Sequence, residues 1–220
     1  MVLTKEQQYE KSIKHMKRIT HGQNKNIIYP VCKGVYHYNN TISATDRHRL
    51  LYVKIDGAAF DEQILDVKNG ETIDGDFLDV ESRFIKDDDI EIDLYLIYND
   101  IKTLKSTLSC MKSANHKKIK LTVNNGYCVV KPYVDSDSLY DENLNISYTI
   151  AKATDSFNKD RVFNINYFIQ AIDFIKETKA DARLLMTDNS LAPIEFTDVG
   201  RNSGENDFKY KYIFCPIRTT

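Results

Sequence analysis

The chain has 220 residues, 42% of them hydrophobic and 28% charged, with a formal net charge of −2, the profile of an ordinary globular protein with room for one large domain or two small ones. Its four cysteines (Cys32, Cys110, Cys128 and Cys215) include no C-x-x-C pair, which removes support for a zinc finger or a redox dithiol. The first residues, "MVLTKEQQYEKSIKHMKR", hold no apolar core for a signal peptide, and no apolar run approaches the roughly 18 residues of a membrane span, so the expected location is cytoplasmic.

In chain order, one unit recurs three times: an amphipathic helix, a strand, a polar turn and a second strand. The first copy opens with "TKEQQYEKSIKHMKRI", where Tyr9, Ile13 and Met16 make an apolar stripe. Strands are predicted around "NIIYPVCKGVYHY" and "TISAT", joined by the tight-turn dipeptide Asn39-Asn40. The stretch "TISATDRHRLLYVKI" alternates like a half-buried strand, interrupted by Asp46, Arg47, His48 and Arg49. Residues 56–98 are acidic and strand-rich. Within them "KDDDIEID" is read as a solvated loop before a strand, since consecutive carboxylates on a loop rarely converge on one ion.

The second copy opens with "NDIKTLKSTLSCMKS", with Ile101, Leu104, Leu108 and Met111 apolar and Asn99 or Asp100 as the cap. It continues as "KKIKLTV", "NNG" and "YCVVKPY". The polar run "DSDSLYDEN" and Pro132 place a boundary near residues 133–141, dividing the chain into domains 1–133 and 134–220. The third copy opens with "NINYFIQAIDFIKET", capped by Asn164, and continues as "ARLLMT", "DNS" and "APIEFT". Copies two and three follow the short strands "IEIDLYLI" and "DRVF", so the fuller repeat is β-α-β-β and the fold class is α+β.

Positive charge is segregated. Lys11, Lys14 and Arg18 lie on one side of the first helix, and Lys102, Lys105 and Lys112 form a row on the second. A single such helix is ordinarily a solvated face; two in equivalent positions suggest a surface that follows a phosphate backbone without reading bases. Phosphate-loop, dinucleotide, zincin and nucleophile-elbow motifs are all missing from the sequence, and the five histidines show no ligand spacing. His48 beside Asp46 could in principle act as a base, but adjacent strand residues face opposite sides. The expectation is a protein that is not an enzyme and carries no cofactor or metal.

Three segments carry a family resemblance. "ISATDRHRLL" resembles the T-D-G-H-R-L segment in the middle domain of bacterial sliding clamps, the β subunit of DNA polymerase III. "RVFNINYFIQAIDFI" and "ARLLMTDNSLAPIEFTD" are similar to the strand, helix and L-x-L-T-D hairpin of that family's last domain, and "YKYIFCPIRTT" to its closing Y-x-x-M-P-x-R strand. The resemblance is specific over residues 41–55 and 162–218 and topological elsewhere. It implies the DNA-clamp fold in two domains, with helices on one face of antiparallel sheets. It also implies a polymerase processivity factor that encircles duplex DNA, with Lys11, Lys14, Arg18, Lys102, Lys105 and Lys112 facing the DNA.

In that family a pocket takes short apolar peptides of polymerases and the clamp loader. By position it would use Thr45, His48, Arg49, Leu50, Ile213, Cys215 and Pro216, with the polar members as rim. Arg47 stands where the family has Gly, and Cys215 where it has Met. Two domains per chain imply a homo-oligomeric ring, the trimer favoured, of a shortened type suggesting a phage or mobile element. Only three helical modules are legible, however, and the second domain looks short of its first helix. The alternative is a degenerate clamp-like module that forms no ring and recruits or competes for clamp partners. An enzyme built on the His48–Arg49 turn or the Asp87–Asp89 run is a third reading.

Overall fold

The computed structural model describes residues 3–20, 29–124, 126–134, 146–152, 159–199 and 208–218. They form two compact units, Met1–Phe84 with Thr197–Phe214, and Ile85–Phe196 with Cys215–Thr220. The break falls at 84/85 and not at the expected 133/134, because residues 118–122 pair with 160–164 and the helix before them packs on the helix after them. The run "DSDSLYDEN", on which that boundary rested, lies outside the described residues.

The first unit contains α1 (Lys5–Thr20), β1 (Gly34–Asn39), β2 (Thr41–Thr45), β3 (Arg49–Ile55), β4 (Phe60–Asp66) and β12 (Phe208–Phe214). The strand order is β4-β1-β2-β3-β12, all pairs antiparallel. The strand predicted before Gly34 is a 3₁₀ turn over Pro30–Lys33, as a proline at the start of a turn favours. Asn39 carries the Asn39-Asn40 turn with φ of 53°, as tight hairpins require. Alternation puts Leu51, Val53 and Ile55 on one face with Tyr210, Tyr212 and Phe214, all buried.

α1 packs on β1, β2 and β3. Its buried stripe is Gln8, Ser12, His15, Met16 and Ile19, rotated from the predicted Tyr9–Ile13–Met16 line. Among the polar members, Ser12 Oγ donates to the Gln8 carbonyl at 2.7 Å and Gln8 Nε2 to the Leu3 carbonyl at 3.3 Å.

Tyr9 instead meets His37 of β1, with Phe60 closing the aromatic group. His37 Nδ1 lies 3.0 Å from the Val35 carbonyl and must donate to it, so neutral Nε2 accepts from Tyr9 Oη, also at 3.0 Å. Burial lowers the His37 pKa, with the Val35 bond opposing that shift. The folded state therefore binds fewer protons than the unfolded chain below the usual histidine range. Stability is expected to be full above about pH 6.5 and to fall as pH drops toward the folded-state pKa. Urea midpoints at pH 7.5 and 5.5 measure this, and the same pair for His37→Gln should differ less.

The second unit holds β5 (Ile92–Leu96), α2 (Tyr98–Ser113), β6 (Lys118–Asn124), β7 (Tyr127–Tyr133), β8 (Tyr148–Lys152), β9 (Lys159–Asn164), α3 (Ile165–Thr178), β10 (Ala182–Met186) and the first residues of β11 (Ile194–Asp198). Strand orders are β8-β7-β6-β9 and β11-β10-β5. α2 buries the predicted Ile101, Leu104, Leu108 and Met111, and α3 buries Phe168, Ile172 and Ile175. Asn164 caps α3 as expected, accepting from the Asn166 N–H at 2.9 Å. For α2 the expected local caps are not used. Asp181 accepts from the Tyr98 N–H at 2.8 Å and from Tyr95 Oη at 2.6 Å.

Because α2 and α3 pack together in this unit, the unit with a single described helix is the first and not the second. The Asp87–Asp89 run is an exposed 3₁₀ turn, and no metal-binding group occurs among the described residues. No helix among them is long and apolar enough to cross a membrane.

Candidate functional site

The turn between β2 and β3 begins at Thr45, which is buried. Its Oγ1 donates to the Arg49 carbonyl at 2.8 Å and accepts from the Arg47 N–H at 3.0 Å. Asp46 Oδ1 accepts from the N–H groups of His48 and Arg49, each at 3.0 Å, the pattern by which an aspartate closes a turn. Arg47 takes φ of 72°, in the left-handed region that favours glycine. That conformation costs a non-glycine residue roughly 1–2 kcal/mol. The Arg47 guanidinium lies 4.5 Å from the Tyr29 ring centroid, a cation–π contact that offsets part of that cost.

Arg49 corrects the expectation of an exposed polar rim. It is only 3% exposed, its Nε donates to Asp46 Oδ2 at 2.9 Å, and its Nη2 donates to the Arg18 carbonyl at 2.8 Å. Arg18 lies in the last turn of α1, where backbone carbonyls lack helical partners, so Arg49 caps that helix while it closes the turn. The same guanidinium stands near Tyr212. Burial raises that phenol to about 12, with Arg49 partly opposing the shift. Of the four polar residues in the turn, Arg47 and His48 are exposed.

On the opposite face of the sheet from α1, register sets Leu50 directly across from Ile213. The two form an apolar cluster with Val80, against which Tyr52, Phe77 and Phe84 pack. Val80, Phe77 and Phe84 escaped the sequence reading because they sit in an acidic stretch with no apolar periodicity. Cys215 and Pro216 belong to the second unit and are half-buried.

Among the basic residues, Lys14 and Arg18 are exposed on α1, and Lys11 is half-buried. On α2, Lys102 and Lys112 are exposed, with Lys102 Nζ 4.4 Å from the Tyr98 ring centroid. Lys105 is the correction here: it is half-buried and ion-paired with Asp173 of α3, so it fastens two helices.

No protein-family model matches the sequence, and no curated protein does. Solved structures do match. The Helicobacter pylori β clamp in complex with carprofen has a TM-score of 0.71 and 16% identity, covering 94% of this chain and 64% of that one. The C. crescentus β sliding clamp gives 0.71 and 14%, covering 100% and 65%. The DNA polymerase III subunit beta from Pseudomonas aeruginosa gives 0.70 and 14%, covering 96% and 65%. The chain therefore spans less than two thirds of the length of these proteins. At such identities the similarity establishes the fold, which is the expected α+β DNA-clamp fold.

Proposed function

We propose, with the clamp fold of bacterial DNA polymerase III β subunits as premise, that this protein is a sliding-clamp-type processivity factor and not an enzyme. The observation that carries the reading is the match of nearly the whole chain to that fold, at TM-scores near 0.7. The exposed cations of α1 and α2 support it: Lys14, Arg18, Lys102 and Lys112, with half-buried Lys11, would meet phosphates of duplex DNA without reading bases. Lys105 stays with Asp173. The apolar Leu50–Ile213 pair supports docking of short apolar peptides from a polymerase or clamp loader on the first unit. Arg49 holds the turn beside that pair, and His48 is the exposed polar residue next to it.

Encircling DNA requires several copies, a trimer being the favoured ring. One observation favours a second reading, a clamp-like module that recruits or competes for clamp partners without a ring. The first unit has a single described helix where the second has two. Light scattering across nanomolar to micromolar concentrations decides between them. A stable species near three times 25.5 kDa is the expected result, and a monomer at every concentration would leave only the second reading.

A further inference from the structure

Strand register arranges the outer face of the first unit in rows. One row crosses Tyr36, Ser43, Tyr52 and Lys211, and its neighbour crosses Thr45, Leu50 and Ile213. Over these rows runs the segment Phe77–Phe84. Its first ring stacks on Tyr36 with centroids 4.9 Å apart and planes 11° from parallel. Its last ring meets Tyr52 edge-on at 5.1 Å, and Lys211 Nζ lies 4.7 Å from the same ring. Tyr36 is on β1 and Lys211 on β12, three strand spacings or roughly 14 Å apart. The segment thus spans most of the sheet, across the strands and not along them.

Between those anchors Val80 packs with Leu50 and Ile213, leaving them 9%, 5% and 4% exposed. A peptide side chain gains affinity by covering apolar surface, and almost none of this pair is left uncovered. We infer that Phe77–Phe84 is a strap that occupies the Leu50–Ile213 site in the free protein and swings aside when a peptide docks. The inference rests on the docking reading above and adds its regulation.

The strap is built to lift without losing a ladder of bonds. Its hydrogen bonds are local: Arg83 N–H to the Val80 carbonyl at 3.1 Å, Phe84 N–H to the Glu81 carbonyl at 3.2 Å, and Ser82 Oγ to the Asp79 carbonyl at 3.0 Å. Lifting it therefore breaks no bond to the sheet, and once the sheet no longer backs them these short turns open to water. Asp76, Asp79 and Glu81 are exposed, and Leu78 is 40% exposed. Lifting the strap uncovers apolar surface on the sheet, which the apolar side chains of a peptide would cover again. Gly75, with φ of 129°, sits just before the strap in a conformation that other residues rarely adopt, a suitable hinge. Beyond the strap, the Ile85 N–H is held by Glu195 Oε2 at 3.1 Å. Apparent affinity is then the intrinsic affinity reduced by the fraction of protein with the strap open.

The test uses the full chain and a fluorescein-labelled decapeptide ending in Leu-Leu-Phe. Hydrogen exchange at residues 77–84 is followed with and without peptide, and peptide affinity is measured for wild type, Phe84→Ala and Leu50→Ala. Peptide binding is expected to speed exchange across 77–84. Phe84→Ala should bind about tenfold more tightly, mainly through faster association, and Leu50→Ala should lose binding. Slower exchange on binding, or weaker binding by Phe84→Ala, would make the segment a fixed wall and overturn the strap while leaving docking intact. No binding by either wild type or Phe84→Ala would overturn the docking reading, and the strap with it. The exchange arm needs no substitution, so it stands even where Phe84→Ala does not fold.

Discussion

Arg49→Ala is expected to destabilise the protein by about 3–5 kcal/mol, the usual cost of breaking a buried ion pair from one side. Asp46 would lose the Nε bond at 2.9 Å with its side chain only 11% exposed, leaving a carboxylate largely cut off from water. The Arg18 carbonyl would lose its guanidinium donor at the end of α1, and the inner face would gain a cavity beside Tyr212. These losses share one side chain and are not separable by simple addition. Equilibrium urea unfolding at pH 7 measures the effect. Arg49→Lys should recover only part of it, because an ammonium cannot reach Asp46 and the Arg18 carbonyl with a planar fork. His48→Ala, at an exposed position of the same turn, should change stability by no more than about 0.5 kcal/mol. A loss below 1 kcal/mol for Arg49→Ala would mean the turn and the α1 cap do not depend on it, and would return Arg49 to the rim.

The second large effect concerns DNA. Replacing Lys14, Lys102 and Lys112 with Glu is expected to weaken duplex binding by roughly 10²–10³ at 0.1 M salt. Each phosphate contact contributes about 0.9 to the slope of log K against log salt, so three lost contacts cost nearly three decades over one decade of salt. The salt slope itself should fall by about 3. All three side chains are exposed, and Lys102 gives up only a surface contact with the Tyr98 ring, so the fold should be retained. Fluorescence anisotropy of a labelled 30-base-pair duplex at several salt concentrations provides both numbers. An unchanged slope would remove the basic helix faces from the DNA-binding reading. Lys105→Glu is a contrasting variant, because it sets a carboxylate against Asp173 and should lower stability as well.

The division between local and distant causes also explains how much was legible beforehand. The α2 stripe, the Asn39-Asn40 turn and the Asn164 cap are written in neighbouring residues, and all three occur as expected. Helical and strand periodicity report which face is buried, and short polar side chains next to a helix start report a cap. The pairing of Leu50 with Ile213 has no such local signal, and only the family resemblance pointed to it. The candidate site was therefore half readable, its sheet residues from the resemblance and its covering segment not at all.

By itself, then, the sequence determined the helices, most of the strands, the α+β class and the clamp-type resemblance. Tertiary structure decided which distant partners several polar and charged groups take. Arg49 finds the carbonyl of Arg18, 31 positions away, Asp181 caps a helix starting 83 positions earlier, and Lys105 is claimed by Asp173. It also decided that β12 returns to β3, that β6 pairs with β9 and so joins residues 85–133 to the second unit, and that Phe77, Val80 and Phe84 cover the Leu50–Ile213 pair. The physical reason is common to all of these. Periodicity records the average environment along a segment, whereas a buried charge or an exposed apolar pair is satisfied by whichever distant group packing brings within reach.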